Sequence, residues 1–133
     1  MKQLLWVLGA LVLTGCSGES LVEVHGKVTY DGKPVESGTI NFEPEDRSGP
    51  SQGVAITNGE YRFAGPNRIE PGAKLVRIHA FGPSGKKTSA APGSSTMVDA
   101  MHQYIPSRYN TASELKCNVE PGKEMLHNID LTK

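Results

Sequence analysis

The side chains able to do chemistry in this chain are two cysteines, four histidines, a short acidic run and a handful of tyrosines. His25, His79, His102 and His127 show no ligand spacing such as H-x-x-x-H, and no Cys/His cluster accompanies them, so a bound zinc is not expected. Glu43, Glu45 and Asp46 offer hard oxygens, but Ca²⁺ takes about 6–8 of them and the spacing is not that of an EF-hand loop; a solvated turn is the expectation. The serines lie in Gly/Pro-rich stretches where they serve turn chemistry, and neither G-x-S-x-G nor H-E-x-x-H occurs. No catalytic residue, no metal ligand and no cofactor is therefore assigned, and the chain reads as a non-enzyme. Among the aromatics, Tyr30, Phe42, Tyr61 and Phe63 are expected in a core, and Trp6 sits in an N-terminal apolar run. Tyr104 and Tyr109 are left as the candidate ligand contacts.

The N-terminal run gives Cys16 its meaning. Met1-Lys2 is positive, Leu4 to Leu13 is apolar apart from Gly9, and the run ends Leu13-Thr14-Gly15-Cys16. A membrane-crossing helix needs about 20 apolar residues, so the layout suits a secretory signal peptide with small residues at the cut site. The tetrapeptide L-T-G-C resembles the bacterial lipobox. That resemblance implies a lipidated Cys16, cleavage between Gly15 and Cys16, and a membrane partner reached through the lipid; two or three acyl chains anchor stably where one holds only marginally. The chain then divides into a signal peptide (1–15), a lipidated tether (16–20) and one domain (21–133). The stretch Ser17 to Ser20 reaches at most ~14 Å, which keeps the domain close to the bilayer. Cys117 is left without a partner and reads as a small buried hydrophobe. Ser17 is unlike the aspartate that retains some lipoproteins in the inner membrane. The implied address is the cell envelope, on the non-cytoplasmic side, with the outer membrane favoured over the inner.

The elements that position these groups are strands. The chain's 133 residues suit a single domain. Fourteen basic residues balance 14 acidic ones, which leaves no basic face for nucleic acid, and 15 Gly with 9 Pro suggest a turn-rich all-β domain. Val22, Val24, Val28 and Tyr30 alternate with Glu23, His25, Lys27 and Thr29, the period of a half-buried strand. Asp31-Gly32 and Asn58-Gly59 are hairpin turns. Ile40 and Phe42, Val54 and Ile56, Tyr61 and Phe63, Val76 and Ile78 with Ala80, Leu115 with Cys117 and Val119, and His127 with Ile129 and Leu131 continue the inward face. Gly82 to Met101 has no apolar period and reads as a long loop, disordered or functional. The pattern gives about seven short strands, hence an antiparallel β-sandwich.

Three segments resemble one family: V-x-G-K-V-T-Y-D-G-K-P-V-x-x-G-T-I-N-F, then G-E-Y-R-F with L-V-R-I after a Pro-Gly, then P-S-R-Y-N-T-A-S-E-L-K-C-N-V-E-P-G-K. Together they are similar to small bacterial lipoproteins carrying a carboxypeptidase-regulatory-like, transthyretin-like domain, over Val22 to Leu131. The resemblance implies a prealbumin-like, immunoglobulin-like sandwich without catalytic residues, acting as an interaction or structural module towards an envelope protein or polysaccharide. A glycan- or small-ligand-binding lipoprotein using Tyr104, Tyr109 and the loop is the alternative. Pilin and adhesin sandwiches of related topology join a first-strand lysine to a last-strand asparagine; Lys27 and Asn128 occupy those strands, but Lys27 reads as outward-facing.

Overall fold

The computed structural model describes residues 20–133. The expected signal peptide (1–15), the expected cleavage and lipidation site at Gly15 and Cys16, and the expected tether up to residue 19 lie outside the described residues.

The organising strand is β1 (Glu23–Tyr30), in which Val24, Gly26 and Val28 point into the core and Lys27 points out. Asp31 (φ 52°) and Gly32 (φ 81°) both adopt left-handed backbone, the requirement of a tight hairpin turn, and return the chain into β2 (Lys33–Pro34). β3 (Ser37–Pro44) and β4 (Gln52–Thr57) pair antiparallel; Asn58 and Gly59, also left-handed, turn the chain into β5 (Glu60–Phe63). A 3-10 turn (Gly65–Asn67) leads to β6 (Gly72–His79), followed by β7 (Phe81–Ser89) and β8 (Met97–Gln103). After a second 3-10 turn (Ser107–Tyr109) come β9 (Lys116–Val119), β10 (Glu124–Leu126) and β11 (Ile129–Leu131).

Nine of these strands form one sheet along the path β10-β1-β5-β4-β3-β6-β9, with β2 and β11 also hydrogen-bonded to β1. β4 and β5 meet at a single pair, Thr57 with Glu60, so the sheet curls there. Its two arms then share one core: Phe42 of β3 lies 4.9 Å from Phe63 and 6.4 Å from Tyr61, both on β5. Ile40, Phe42, Ile56, Phe63 and Ile78 are essentially fully buried, and each contributes about 1.5–3 kcal/mol of transfer free energy.

β10 and β11 both run parallel to β1 and form one edge strand interrupted at His127 and Asn128. The interruption faces Gly26, where the chains approach so closely that a Cβ would stand 1.9 Å from the His127 carbonyl oxygen. The ladder continues across the gap: the His127 N–H donates to the His25 carbonyl (2.8 Å) and the Lys27 N–H to Asn128 Oδ1 (2.9 Å).

Three expectations change. Eleven strands stand among the described residues rather than seven, because β2 is only a dipeptide, the last strand is split at Gly26, and a further hairpin exists. That hairpin is the second correction. The stretch from Gly82 to Met101, expected as an irregular loop, lies mostly in β7 and β8, paired from Phe81↔Gln103 to Ser89↔Met97 with an irregularity between Pro83 and Lys87. None of its residues is buried, so backbone pairing holds it with no inward face to write a period. Third, Tyr30 is half-buried at the core's margin rather than inside it.

The strand directions give the body two poles. The chain enters at Ser20 beside the pole carrying Pro44, Glu70 and Lys74. β1 then travels about 23 Å, at ~3.3 Å per residue, to Tyr30 at the other pole. The end of β6, the root of the β7–β8 hairpin and Leu131 of β11, paired with Tyr30, all lie at this second pole.

Candidate functional site

The most site-like feature is a groove of about 620 Å³ at the pole away from Ser20. The Asp31-Gly32 hairpin places Tyr30 and Lys33 there, and these two are directly opposed across the β1–β2 ladder, so their side chains share a face. Glu36 immediately precedes β3, the root of the β7–β8 hairpin supplies Phe81 and Met101, and Tyr104 follows β8. The rings of Tyr30 and Tyr104 are 5.9 Å apart at 48°, forming a tilted pair that walls the groove. The phenol of Tyr104 is held above its ordinary pKa, first by burial and second by the Glu36 carboxylate. Among the described residues neither Lys33 nor Glu36 has an ion-pair partner. The groove therefore combines two aromatic faces, a mostly apolar floor, one unpaired ammonium and one unpaired carboxylate.

The hairpin above it is strongly exposed. Phe81, Met97, Val98 and Met101 are between 42% and 59% accessible. Phe81, Pro83, Met97 and Met101 stand on one face of the ladder, given its register, and that face continues the groove lining.

Of the two sequence-predicted contacts, Tyr104 lines the groove and Tyr109 does not. Tyr109 sits at the same pole but faces the C-terminus: the Thr132 N–H donates to its hydroxyl at 3.2 Å, and the Arg108 guanidinium lies 4.8 Å over its ring. Hydrogen bonding to the Thr132 side chain, then to the Thr132 backbone N–H and to Arg108, brings its phenol down to about 8. Tyr30, Lys33, Glu36 and Phe81 were missed, and Met101 was reached only as the end of the Gly82–Met101 stretch. Tyr30 has the period of a core residue, and only an apolar residue embedded in a Gly/Ser-rich stretch could have flagged Phe81 and Met101.

The other reactive groups are engaged in holding the fold. His25 Nε2 lies 2.7 Å from Glu124, His79 is on β6, which does not pair with β1, and His102 Nδ1 is 3.1 Å from the Gly82 carbonyl. Half-buried His127 has its pKa lowered by burial. Glu43 receives two hydrogen bonds from Arg77, Glu45 pairs with Lys116 at 2.6 Å, and Asp46 accepts the Ser48 N–H at 2.9 Å. Among the described residues no group of three His, Cys, Asp or Glu side chains is gathered as a metal site. Cys117 is buried, which pushes its thiol up to about 11. Lys27 and Asn128 do come together, but through the Lys27 backbone N–H; the Lys27 side chain is exposed, which is not the buried pair an isopeptide bond requires. A broader concavity of about 950 Å³ lies over β1 and β5; there Arg62 pairs with Glu23 and Glu124, while Lys27 and Glu60 have no ion-pair partner among the described residues.

No family model and no curated protein matches the chain. Among solved structures it is similar to the crystal structure of a 9R-lipoxygenase from Cyanothece PCC8801, with 12% identity and a TM-score of 0.36 over 85% of this chain. The chain spans 16% of that enzyme's length, and a likeness of this degree carries no argument about activity. Among the described residues no helix is long and apolar enough to cross a membrane.

Proposed function

We propose that this protein is a non-enzymatic lipoprotein of the bacterial cell envelope that displays an interaction surface at the pole opposite its anchor. The reading rests on the polarity of the domain. The chain enters beside one pole, while the groove and the apolar hairpin stand about 23 Å away at the other, by the rise of β1. A lipid at Cys16 followed by a tether of at most ~14 Å would hold the near pole against the bilayer and turn the groove outwards. The finer fold reading is a prealbumin-like sandwich of the carboxypeptidase-regulatory-like kind. Counting β10 with β11 as one strand, and setting aside the β2 dipeptide and the β7–β8 hairpin, leaves the core path with the strand number that such a domain uses. The domain stands on the non-cytoplasmic side, at the outer membrane rather than the inner. The test is metabolic labelling of cells with a radiolabelled fatty acid. Label in the parent but not in Cys16→Ser is expected, and a parent that takes up no label refutes the anchor.

A second reading, a glycan- or small-ligand-binding lipoprotein, is favoured by one observation: the tilted Tyr30–Tyr104 pair walling a groove of ligand size. Saturable pull-down by an envelope polysaccharide or a glycan array, lost on Tyr104→Ala, supports it over a purely protein-facing surface.

A further inference from the structure

The ligand class of the groove follows from its charges and its faces, given the second reading above. Two tyrosine rings 5.9 Å apart and tilted by 48° present a negative π-surface on one wall. Glu36 carries a carboxylate near Tyr104, and the field of that carboxylate helps hold the Tyr104 phenol protonated. A cation seated there meets attraction from both the ring faces and the carboxylate. A primary ammonium would need three acceptors in tight geometry, whereas the lining offers mostly apolar surface from Pro34, Phe81, Pro83 and Met101. An alkylated ammonium donates no hydrogen bond, is weakly hydrated and suits such walls. Lys33, across the ladder from Tyr30, adds an unpaired positive charge at the Tyr30 side, so the ligand must also carry an anion. A neutral sugar leaves both charges unused, and a simple cation leaves Lys33 unanswered.

We propose that the groove binds a small zwitterion whose alkylated ammonium lies against Tyr30, Tyr104 and Glu36 and whose anionic group meets Lys33. The volume of about 620 Å³ lies within the range of small-ligand sites and leaves room for both groups at once.

The experiment titrates the purified full-length chain, in a polyoxyethylene detergent, with phosphocholine by isothermal titration calorimetry. The comparison ligand is 3,3-dimethylbutyl phosphate, which has the same shape and anion but carbon in place of the charged nitrogen. Saturable phosphocholine binding is expected, with the carbon analogue about 5- to 30-fold weaker, the range for a cation held on aromatic faces. Glu36→Gln should weaken phosphocholine several-fold without weakening the anionic analogue, and Lys33→Gln should weaken both. Tyr104→Phe keeps the ring and should bind; Tyr104→Ala should not, and because Glu36 is exposed its variant tests the site without disturbing the core. Equal binding of the two ligands, or no saturation by phosphocholine, overturns the proposal. Flotation of the mature Cys16→Ser chain, residues 16–133, with phosphatidylcholine but not phosphatidylglycerol vesicles would support it with a lipid headgroup as the source; phosphocholine binding without flotation would support it with a free ester as the source. The two readings fail separately: a groove that ignores phosphocholine yet crosslinks to an envelope protein leaves the display reading standing, while a parent chain that takes up no labelled fatty acid removes the anchor and not the groove chemistry.

Discussion

Replacing Gly26 by alanine tests the packing on which the domain depends. Gly26 lies where β1 faces the break between β10 and β11, and a Cβ there would stand 1.9 Å from the His127 carbonyl oxygen and 2.6 Å from its carbon. Both are backbone atoms, so no rotamer change relieves the clash and the edge strand must retreat. Three hydrogen bonds are then broken or stretched: His127 N–H to His25 O (2.8 Å), Lys27 N–H to Asn128 Oδ1 (2.9 Å) and Tyr61 O–H to His127 O (2.6 Å). At a net contribution of about 1 kcal/mol each, the loss is about 3 kcal/mol. Alanine's lower unfolded-state entropy offsets about 0.5–1 kcal/mol of that. The balance, about 2–3 kcal/mol, lowers Tm by roughly 10 °C in a domain of this size. Thermal melting followed by circular dichroism reads the shift, and amide exchange should show the Lys27 and His127 N–H groups opening first. Gly32→Ala, at a left-handed turn with nothing nearby, is the comparison and should lose only about 1 kcal/mol. A Gly26→Ala protein melting within ~2 °C of the parent would refute the close β1–β11 approach.

Three further outcomes follow from the same structure. Tyr61→Phe removes the hydroxyl donating to the His127 carbonyl and should lower stability by about 1–2 kcal/mol in urea titration, with the m-value unchanged. Hydrogen bonding to Arg77 holds the Glu43 carboxyl below its ordinary 4.5; because the folded-state value is depressed, the pair stabilises above that pH and its contribution fades as pH falls through the folded value. Glu43→Gln should therefore melt below the parent at neutral pH, with the gap closing in acid; a gap independent of pH contradicts the assignment. Cys117, its thiol pushed up to about 11 by burial, should resist iodoacetamide at pH 8 in the folded Cys16→Ser chain and react once guanidinium unfolds it; rapid labelling of the folded protein would show the site open.

The core was legible in the sequence because one face of each core strand is buried, and burial writes a period of two. Val24, Val28, Ile40, Phe42, Ile56, Phe63 and Ile78 all point where the alternation puts them. The turns were legible because Asp31-Gly32 and Asn58-Gly59 need left-handed backbone that few other residue pairs adopt. The β7–β8 hairpin was not, since a ladder exposed on both faces leaves no pattern in side-chain polarity. Nor could any period announce that the last strand runs parallel to the first, or that it breaks opposite Gly26; both depend on contacts about a hundred residues apart in sequence. Of the two tyrosines that wall the groove, one was read in advance. Tyr104 was identified by elimination from the core, but Tyr30, on the alternating face of β1, looks like a core residue and becomes a groove wall only because β1 ends there.

The most direct test of the account is the intact mass of the protein extracted from the membranes of its native host. The account predicts a chain that begins at Cys16, lacks residues 1–15 and is heavier than the bare polypeptide by a diacylglyceryl group, with or without a further acyl chain. An unmodified Cys16 in membrane-extracted protein, or a mature chain beginning elsewhere, would contradict it.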